Sequence, residues 1–313
     1  MKEKLKLFGN VITNAELKKY TTYKTGGQAS FLIKPSSIDN LIKLIKLLNN
    51  ENINYFILGN GSNVIISDRN YDGVVINMNS LNNYEINDLI LNAESGVFLP
   101  KLSIELANKG YSNFEWAGGL PGTIGGSIYG NAGAYNVTIS DNLIDVTILK
   151  DNEVITLKKE EIKFGYRTSM FKENKDSIII SARFKLQKKE KAKILEIMKN
   201  RNKRRLESQP LDYPSAGSVF RNPNINDYKN LKLDNLKVNE NGVISSWYLI
   251  ESCNLKGFKI GGAKVSEKHA NFIINDGKAK SEDIIKLIEY IKEKVYEKYK
   301  INLIEEQEII NYD

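Results

Sequence analysis

The sequence predicts a fold that mixes helices and strands, of the α+β or α/β class. Segments with the apolar spacing of amphipathic helices alternate with short runs of β-branched and aromatic residues. Gly, Asn and Asp separate these runs, as expected of turns between strands. The 313 residues correspond to about two domains, or to one large domain with an insertion.

The first part of the chain predicts helices and short strands, after a stretch, 1–20, that has no clear pattern. Ser36 or Ser37 can cap a helix whose apolar residues recur at the i, i+3, i+4, i+7 spacing. Gly110 provides a left-handed stop for a second helix. The predicted elements are helices over 36–50 and 99–109 and strands over 55–58, 64–67 and 74–78.

The middle of the chain predicts strands, and its last part predicts mainly helices. Asp151 and Asn152 mark a hairpin turn in a strand-rich region over 143–186. Glu282 and Asp283 lie where the first turn of a helix favours acidic residues. The predicted elements are strands over 177–186 and around 273–274, and helices over 188–208, 245–253 and 281–299.

Segment 188–208 holds most of the excess positive charge of the chain. It carries nine basic and three acidic residues, a net of +6 within a total of +7. Pro210 and Pro214 interrupt the helical pattern, so a domain boundary is predicted near 208. The segment lacks the interleaved aromatic residues of a nucleic-acid-binding surface. Its charge is therefore interpreted as a solvated helix face, and no nucleic-acid partner is expected.

Several protein classes are excluded by what the sequence lacks. It has no run of about 18 apolar residues that could span a membrane, and no apolar signal-peptide core follows its basic N-terminus. The single cysteine, Cys253, excludes an internal disulfide and is expected to pack in its helix. The single histidine, His269, excludes a His-rich metal site. We therefore expect a soluble cytoplasmic protein that binds neither a metal nor a membrane.

Two glycine-rich loops predict a large phosphate-bearing ligand. They read LGNGSN (58–63) and AGGLPGTIGGS (117–127), and NAGA (131–134) follows the second. Glycine lets backbone N–H groups approach an anion closely, and Ser, Thr and Asn add hydrogen bonds without charge. Either loop could instead be an ordinary turn, the first more readily than the second. Neither matches the dinucleotide fingerprint G-x-G-x-x-G or a P-loop, so a different scaffold is expected.

Seven segments form an ordered set along the chain: YKTGG (23–27), LGNGSN (58–63), GLPGTIGG (119–126), NAGAY (131–135), FGYRTS (164–169), QPLDYPSAGSVF (209–220) and GGAKVSEKHANF (261–272). Together they resemble the signatures of the UDP-N-acetylenolpyruvoylglucosamine reductase family, in its shorter, second type. Their order and spacing over about 20–310 make the resemblance specific.

The resemblance implies an α+β fold and a flavin-dependent oxidoreductase. Subdomains 1–78 and 79–208 would form an FAD-binding unit of the vanillyl-alcohol-oxidase (PCMH) type, and 209–313 an α+β substrate-binding domain. With NADPH as reductant, the enzyme would reduce UDP-N-acetylglucosamine enolpyruvate to UDP-N-acetylmuramate. That step belongs to peptidoglycan precursor synthesis, and so to cell-wall biogenesis, cell shape and cell division. A monomer is expected, and the alternative is another flavoprotein oxidoreductase with the same FAD-binding fold.

The resemblance also implies three catalytic residues. Ser218 would donate a proton to the substrate carbon that becomes negatively charged, and Arg167 would bind the substrate carboxylate. Glu306 would act as an acid or would orient that carboxylate. The chain reads LIEEQ over 303–307, where the family pattern is Leu-Glu-Pro-Glu-Val, so Glu305 competes with Glu306 for this role.

The remaining implied residues bind the cofactor or the substrate, with a supporting structural role as the open alternative. The cofactor-binding residues are Tyr23, Gly59, Asn60, Gly61, Ser62, Asn63, Gly119, Pro121, Gly122, Thr123, Gly125, Gly126, Ser127, Asn131 and Ala132. The substrate-binding residues are Tyr166, Asn222, Lys256, His269 and Asn271.

Overall fold

The structure is a computed structural model and describes residues 1–228 and 236–311. The described chain divides into two units, each assembled from three separate stretches of sequence. The first unit comprises Met1–Ala15, Ala29–Asn60 and Tyr71–Arg205. The second unit comprises Glu16–Gln28, Gly61–Asn70 and the described residues from Leu206 onward.

Helices and strands alternate along the described chain. The first elements are α1 (Lys2–Lys6), β1 (Gly9–Glu16), β2 (Gln28–Pro35), α2 (Ile38–Asn50), β3 (Tyr55–Leu58), β4 (Val64–Ile66), β5 (Tyr71–Asn77), β6 (Tyr84–Asn87), β7 (Ile90–Glu94), α3 (Leu99–Asn108) and β8 (Tyr111–Ser112). The middle elements are α4 (Ile124–Tyr129), β9 (Gly133–Ala134), β10 (Val137–Thr138), β11 (Leu143–Lys150), β12 (Glu153–Lys158), β13 (Phe164–Gly165), β14 (Thr168–Ser169), α5 (Met170–Glu173), β15 (Ile178–Lys185), β16 (Gln187–Lys188) and α6 (Lys191–Ser208). The last elements are α7 (Ser246–Ser252), β17 (Lys259–Ile260), β18 (Ala263–Val265), β19 (Ile273–Asn275), α8 (Ser281–Tyr299) and β20 (Glu308–Ile310).

A four-stranded sheet in the order β1-β2-β5-β3 forms one part of the first unit. β5 runs parallel to β2 and β3, with Ile76 opposite Ile33 and Ile57. Ser37 caps α2 by accepting a hydrogen bond from the Asn40 N–H, at 3.1 Å, as the sequence predicts. The apolar face of α2 is buried in the core with this sheet.

A five-stranded antiparallel sheet in the order β12-β11-β15-β7-β6 forms the other part of the first unit. The predicted hairpin joins β11 to β12, where Asp151 and Asn152 have φ angles of 51° and 64°. Apolar residues of α3 and α4 are buried in one core with Trp116, Phe171 and Phe184. This core supports the glycine-rich loops that flank α4.

The second unit contains a three-stranded sheet, β17-β18-β19, and a parallel pair of β4 with β20. α8 contacts β17 and β18 and buries Ile284, Leu287 and Ile288 in the core of this unit. Asp68 accepts hydrogen bonds from the Ser281 N–H and hydroxyl, at 2.6 and 2.9 Å. The stretch that carries β4 is therefore tied to both the last helix and the last strand of the unit.

Most predicted elements are confirmed to within a few residues, including the helices predicted over 36–50, 99–109 and 281–299. The stretch 1–20 differs, because it contains α1 and β1. β1 lies at the edge of its sheet and buries only Ala15, so it carries no alternation of apolar and polar residues that the sequence could reveal. The three-segment division at 78 and 208 stays a prediction.

Among the residues that the structure describes, we find no helix long and apolar enough to cross a membrane.

Candidate functional site

The two glycine-rich loops contact each other within the first unit. Asn60 Nδ2 donates a hydrogen bond to the Pro121 carbonyl oxygen, at 2.7 Å. A Cβ on Gly59 would lie 2.8 Å from Thr123 Oγ1, so only glycine fits there without a shift. Thr123 also caps α4 by accepting a hydrogen bond from the Gly126 N–H. The predicted cofactor-binding residues from these loops thus form one continuous surface.

A third segment, 95–98, completes this surface, and the sequence analysis missed it. The Gly125 N–H donates to the Ser95 carbonyl oxygen at 2.8 Å, and the Ile124 N–H donates to Val97 at 3.0 Å. A Cβ on Gly96 would lie 1.8 Å from the Met78 carbonyl oxygen. A glycine between a strand and a helix was the available signal, since such a position often marks a close backbone approach.

A cavity of about 200 Å³ opens beside this surface in the first unit. Two buried oxygens nearby, Asn79 Oδ1 and Ser95 Oγ, have no hydrogen-bond partner among the described residues. Burial and a hydrogen bond from its hydroxyl to Glu105 raise the pKa of Tyr84 to about 12, so the phenol stays protonated. The lining includes Asn60, Asn79, Asn82, Tyr84, Gly96 and Phe98.

Asn131 links the second glycine-rich loop to the hairpin that carries Arg167. Its Nδ2 donates to the Gly165 carbonyl oxygen at 2.9 Å, while its buried Oδ1 has no partner within the described chain. The Ala132 N–H donates to the Ser127 carbonyl oxygen at 2.8 Å. Asn131 and Ala132 therefore hold the end of α4 in place, and one polar atom of Asn131 stays available.

Arg167 lies in the two-residue turn between β13 and β14, with a φ of 57°. One guanidinium nitrogen donates to the Gly133 carbonyl oxygen at 2.8 Å. The guanidinium carbon lies 5.4 Å from the centre of the Tyr166 ring, whose residue is 54 % exposed. This turn presents a cation and an exposed aromatic side chain together.

Most basic residues of the segment that includes α6 are exposed, as the interpretation of a solvated face predicts, but two of its arginines, Arg201 and Arg205, pack against the rest of the first unit. A Cβ on Gly119 would lie 2.5 Å from Arg205 Nε, so Arg205 packs against the second glycine-rich loop. Burial lowers the pKa of Arg205 below its ordinary value. The Arg201 guanidinium lies 4.8 Å from the Tyr135 ring centre. The charge pattern could not reveal these contacts because basic residues occur all around the helix.

The remaining cofactor-binding candidates, in YKTGG and in 61–63, belong to the second unit. Gly61 has a φ of 62°, and a Cβ there would lie 2.1 Å from the Tyr20 carbonyl oxygen. Asn63 Nδ2 donates to the Glu306 carbonyl oxygen at 3.1 Å. Tyr23 is fully buried, and burial raises the pKa of its phenol. Its side chain is therefore committed to the core of this unit.

Ser218 lies on a turn that neighbouring segments hold on both sides. Asn271 accepts hydrogen bonds from the N–H groups of Val219 and Phe220, at 2.9 and 3.0 Å, and its Nδ2 donates to the Phe220 carbonyl oxygen at 2.8 Å. On the other side, the Glu306 N–H donates to Val219 at 2.8 Å. The structure thus brings Ser218, Asn271 and Glu306 together. The side-chain amide of Asn271 is bonded to the main chain of Phe220, and the Val219 N–H donates to the main-chain carbonyl oxygen of Asn271.

Glu305 and Glu306 differ in their surroundings. Glu305 Oε1 lies 2.6 Å from Lys292 Nζ, in a partly exposed ion pair. Glu306 donates its backbone N–H to the carbonyl oxygen of Val219, the residue after Ser218 in the turn. The two residues therefore differ in their contacts, and the assignment of the catalytic role to Glu306, with Glu305 as its competitor, stays a prediction.

The other substrate-binding candidates also make contacts inside the second unit. Asn222 Oδ1 accepts a hydrogen bond from the Ser246 N–H at the start of α7. Lys256 Nζ lies 2.8 Å from Glu251 Oε1. Burial lowers the pKa of His269, and the nearby Lys256 cation adds to this effect, so its imidazole is held neutral near pH 7.

Comparison with known proteins gives matches along nearly the whole chain. Residues 209–310 match the family model "UDP-N-acetylenolpyruvoylglucosamine reductase, C-terminal domain", and residues 29–157 match the model "FAD binding domain". The UDP-N-acetylenolpyruvoylglucosamine reductase of Fervidobacterium nodosum is 40% identical over 300 residues, covering 96% of this chain and 92% of that protein. That of Carboxydothermus hydrogenoformans is 40% identical over 314 residues, covering 99% and 98%. The crystal structure of the Thermus caldophilus reductase aligns with a TM-score of 0.77 at 29% identity, covering 96% and 98%.

Proposed function

Because the chain belongs to the UDP-N-acetylenolpyruvoylglucosamine reductase family, we propose that it reduces UDP-N-acetylglucosamine enolpyruvate to UDP-N-acetylmuramate, with FAD as cofactor and NADPH as reductant. The matches at 29–157 and 209–310 confirm the predicted fold class, an FAD-binding unit followed by a C-terminal α+β domain. The observation that carries the proposal is the Ser218 turn, which bonds directly to the Glu306 segment. This main-chain contact supports the assignment of a proton donor and a carboxylate to the same part of the second unit.

The surface formed by the glycine-rich loops fits FAD. At Gly59 and Gly125 a Cβ would meet neighbouring protein atoms at 2.8 Å, so these glycines let the loop backbones pack closely together. Asn79 and Asn131 keep oxygens that have no partner among the described residues. These oxygens can accept hydrogen bonds from hydroxyl and N–H groups of FAD, whereas its pyrophosphate needs neutral N–H donors and close backbone approach more than it needs formal charge. We therefore assign FAD binding to these loops, with Arg205 as a nearby cation.

The chemistry of the substrate defines what the protein must supply. FAD, when bound and reduced by NADPH, would supply the hydride that adds to the vinyl carbon. Hydride addition leaves negative charge on the adjacent carbon and on the conjugated carboxylate. Ser218 donates the proton that neutralises this carbon, and Arg167 binds the carboxylate through its planar, two-pronged guanidinium. Glu306 orients that carboxylate or assists as an acid.

The test separates the two half-reactions by anaerobic stopped-flow absorbance of the flavin. In Ser218→Ala, we expect reduction by NADPH to be unchanged and reoxidation by the substrate to slow by at least about 100-fold. Ser215→Ala, in the same turn, serves as the matched control and should reoxidise normally. Near-normal reoxidation of Ser218→Ala would remove this residue from the proton-donor role. A wild-type protein that binds no FAD would overturn the proposed function.

Three finer properties belong to the same proposal. We expect NADPH to be preferred over NADH, the protein to be a monomer, and the reaction to serve peptidoglycan precursor synthesis in the cytoplasm. Flavin reduction rates with the two nicotinamides test the first property, and light scattering after size-exclusion chromatography tests the second. Faster reduction by NADH, or a dimer mass, would contradict the respective expectation.

A further inference from the structure

Buried hydrogen bonds connect the core of the second unit to the Ser218 turn through Gln307. The Tyr23 hydroxyl donates to Gln307 Oε1 at 3.2 Å. Gln307 Nε2 donates to the carbonyl oxygens of Ala216 and Gly217, at 3.0 and 3.3 Å. Tyr23 is 0 % exposed and Gln307 is 4 % exposed. The amide of Gln307 therefore lies between an anchored phenol and the two peptide groups that precede Ser218.

The hydrogen bonds from Gln307 fix the direction of the backbone at Ser218. Gly217 has a φ of 77°, a left-handed conformation that glycine adopts without strain. Because each peptide group is planar, holding the Ala216 and Gly217 carbonyls also holds the planes on which the next residue is built. Asn271 holds the main chain of Val219 and Phe220 on the far side of Ser218. Two buried side-chain amides thus bracket the residue.

A buried glutamine is a costly way to fill space. An apolar side chain of similar volume would pack there without needing partners, whereas an amide must have its polar atoms satisfied. Here the amide oxygen and nitrogen both have partners, and the nitrogen serves only the Ser218 turn. Unlike an apolar side chain, the amide fixes the orientation of the peptide groups to which it bonds.

We propose that Gln307 is a positioning residue that orients the Ser218 hydroxyl toward its proton acceptor. The inference rests on the proposed function of Ser218. It concerns the substrate half-reaction only, because flavin reduction needs no proton from Ser218. A loss of orientation slows proton transfer without removing the proton donor.

The first test replaces the amide with a side chain of similar size that donates no hydrogen bond. In the FAD-loaded Gln307→Met protein, we expect reoxidation by the substrate to slow by about tenfold or more with little change in KM, since misplacement of a reacting group lowers the rate at bound substrate. Reduction by NADPH should stay within about twofold of the wild-type rate. Tyr299→Phe removes another hydrogen bond of this unit, to Ser252, and should lower only the thermal midpoint.

The second test measures how the reoxidation rate of a carboxyl variant depends on pH. In Gln307→Glu, a protonated carboxyl can still donate one hydrogen bond to Ala216 or Gly217, whereas the ionised carboxylate repels both carbonyl oxygens. Burial raises the pKa of the introduced carboxyl. We therefore expect the reoxidation rate of Gln307→Glu, relative to the wild type, to recover as the pH falls. Gln307→Met should show no such recovery.

The outcomes distinguish this inference from the function on which it rests. Wild-type reoxidation rates in both Gln307 variants, or a Gln307→Glu deficit that does not change with pH, would overturn the positioning role, whatever the thermal midpoints. If Ser218→Ala itself reoxidises normally, the proposed role of Ser218 fails instead. Should Gln307→Met not fold, the pH dependence of Gln307→Glu alone decides.

Discussion

Glu306→Gln and Glu305→Gln are expected to have very different effects on the reaction. Glu306 is bonded through its N–H to Val219, the residue after Ser218, whereas the Glu305 carboxylate pairs with Lys292. We expect Glu306→Gln to slow reoxidation by the substrate by about 10²–10⁴-fold, the usual contribution of a positioned acid or base. We expect Glu305→Gln to leave that rate nearly unchanged.

The effect of Glu305→Gln on stability follows from the exposure of its ion pair. The side chains of Lys292 and Glu305 are 38% and 27% exposed, and their charged atoms lie 2.6 Å apart. An ion pair in contact with solvent contributes about 0.2–1 kcal/mol to the free energy of unfolding. Glu305→Gln should therefore lower this free energy by no more than that amount. Lys292→Met should have a similarly small effect.

The assay is anaerobic stopped-flow reoxidation of the flavin by substrate, together with urea denaturation of both variants. Flavin reduction by NADPH serves as an internal control, because neither carboxylate is expected to take part in it. A slow Glu305→Gln combined with a fast Glu306→Gln would refute the reasoning and transfer the catalytic role to Glu305. An equal loss of reoxidation rate in both variants would also refute the reasoning, because the rate would then not depend on which of the two carboxylates is removed.

Two further predictions concern the glycine-rich surface and the single histidine. Gly96→Ala places a Cβ 1.8 Å from the Met78 carbonyl oxygen, so it should lower the free energy of unfolding by about 1–3 kcal/mol and reduce the FAD content; Gly130→Ala, whose Cβ meets no atom closer than 3.7 Å, should do neither. Equal FAD content in the two variants would contradict this. Because burial lowers the pKa of His269, the unfolded chain binds more protons below about pH 6.5, and stability falls as the pH falls through that range. His269→Gln should lose this part of the acid sensitivity, and an unchanged dependence of the thermal midpoint on pH would contradict it.

Local features of the fold were predictable because short stretches of sequence determine them. Ser37 caps α2 with a hydrogen bond to a residue three positions away, and Asp151-Asn152 forms its turn without distant partners. β1 was not predictable, because an exposed edge strand needs no apolar alternation. The grouping of Glu16–Gln28 and Gly61–Asn70 with the C-terminal part also depends on contacts over more than 200 positions.

In the candidate site, too, the sequence predicted local motifs but not contacts between distant segments. Resemblance pointed to the glycine-rich loops and to Ser218, and the loops do contact each other. Gly96, Arg205 and Gln307 were missed, because each matters only through a neighbour that the fold brings to it. An isolated glycine, an arginine among many on a basic helix and a single glutamine produce no periodic pattern from which their contacts could be predicted. Only the assembled structure shows what each one touches.

The pairing of β4 with β20 has a consequence for how the protein is made. It joins Val64–Ile66 to Glu308–Ile310, so synthesis of the two partners is separated by 244 residues (308 − 64). The stretches of the first unit are all synthesised by Arg205, and this unit can begin to pack while translation continues. Until β20 has been synthesised, β4 has no partner strand, and Ile65 and Ile66, which are buried in the finished fold, stay uncovered. An unpaired strand of this kind can pair with other strands or other chains. We therefore expect completion of the second unit to be the slow, aggregation-prone stage of folding, because its last hydrogen bonds can form only when the chain is nearly finished.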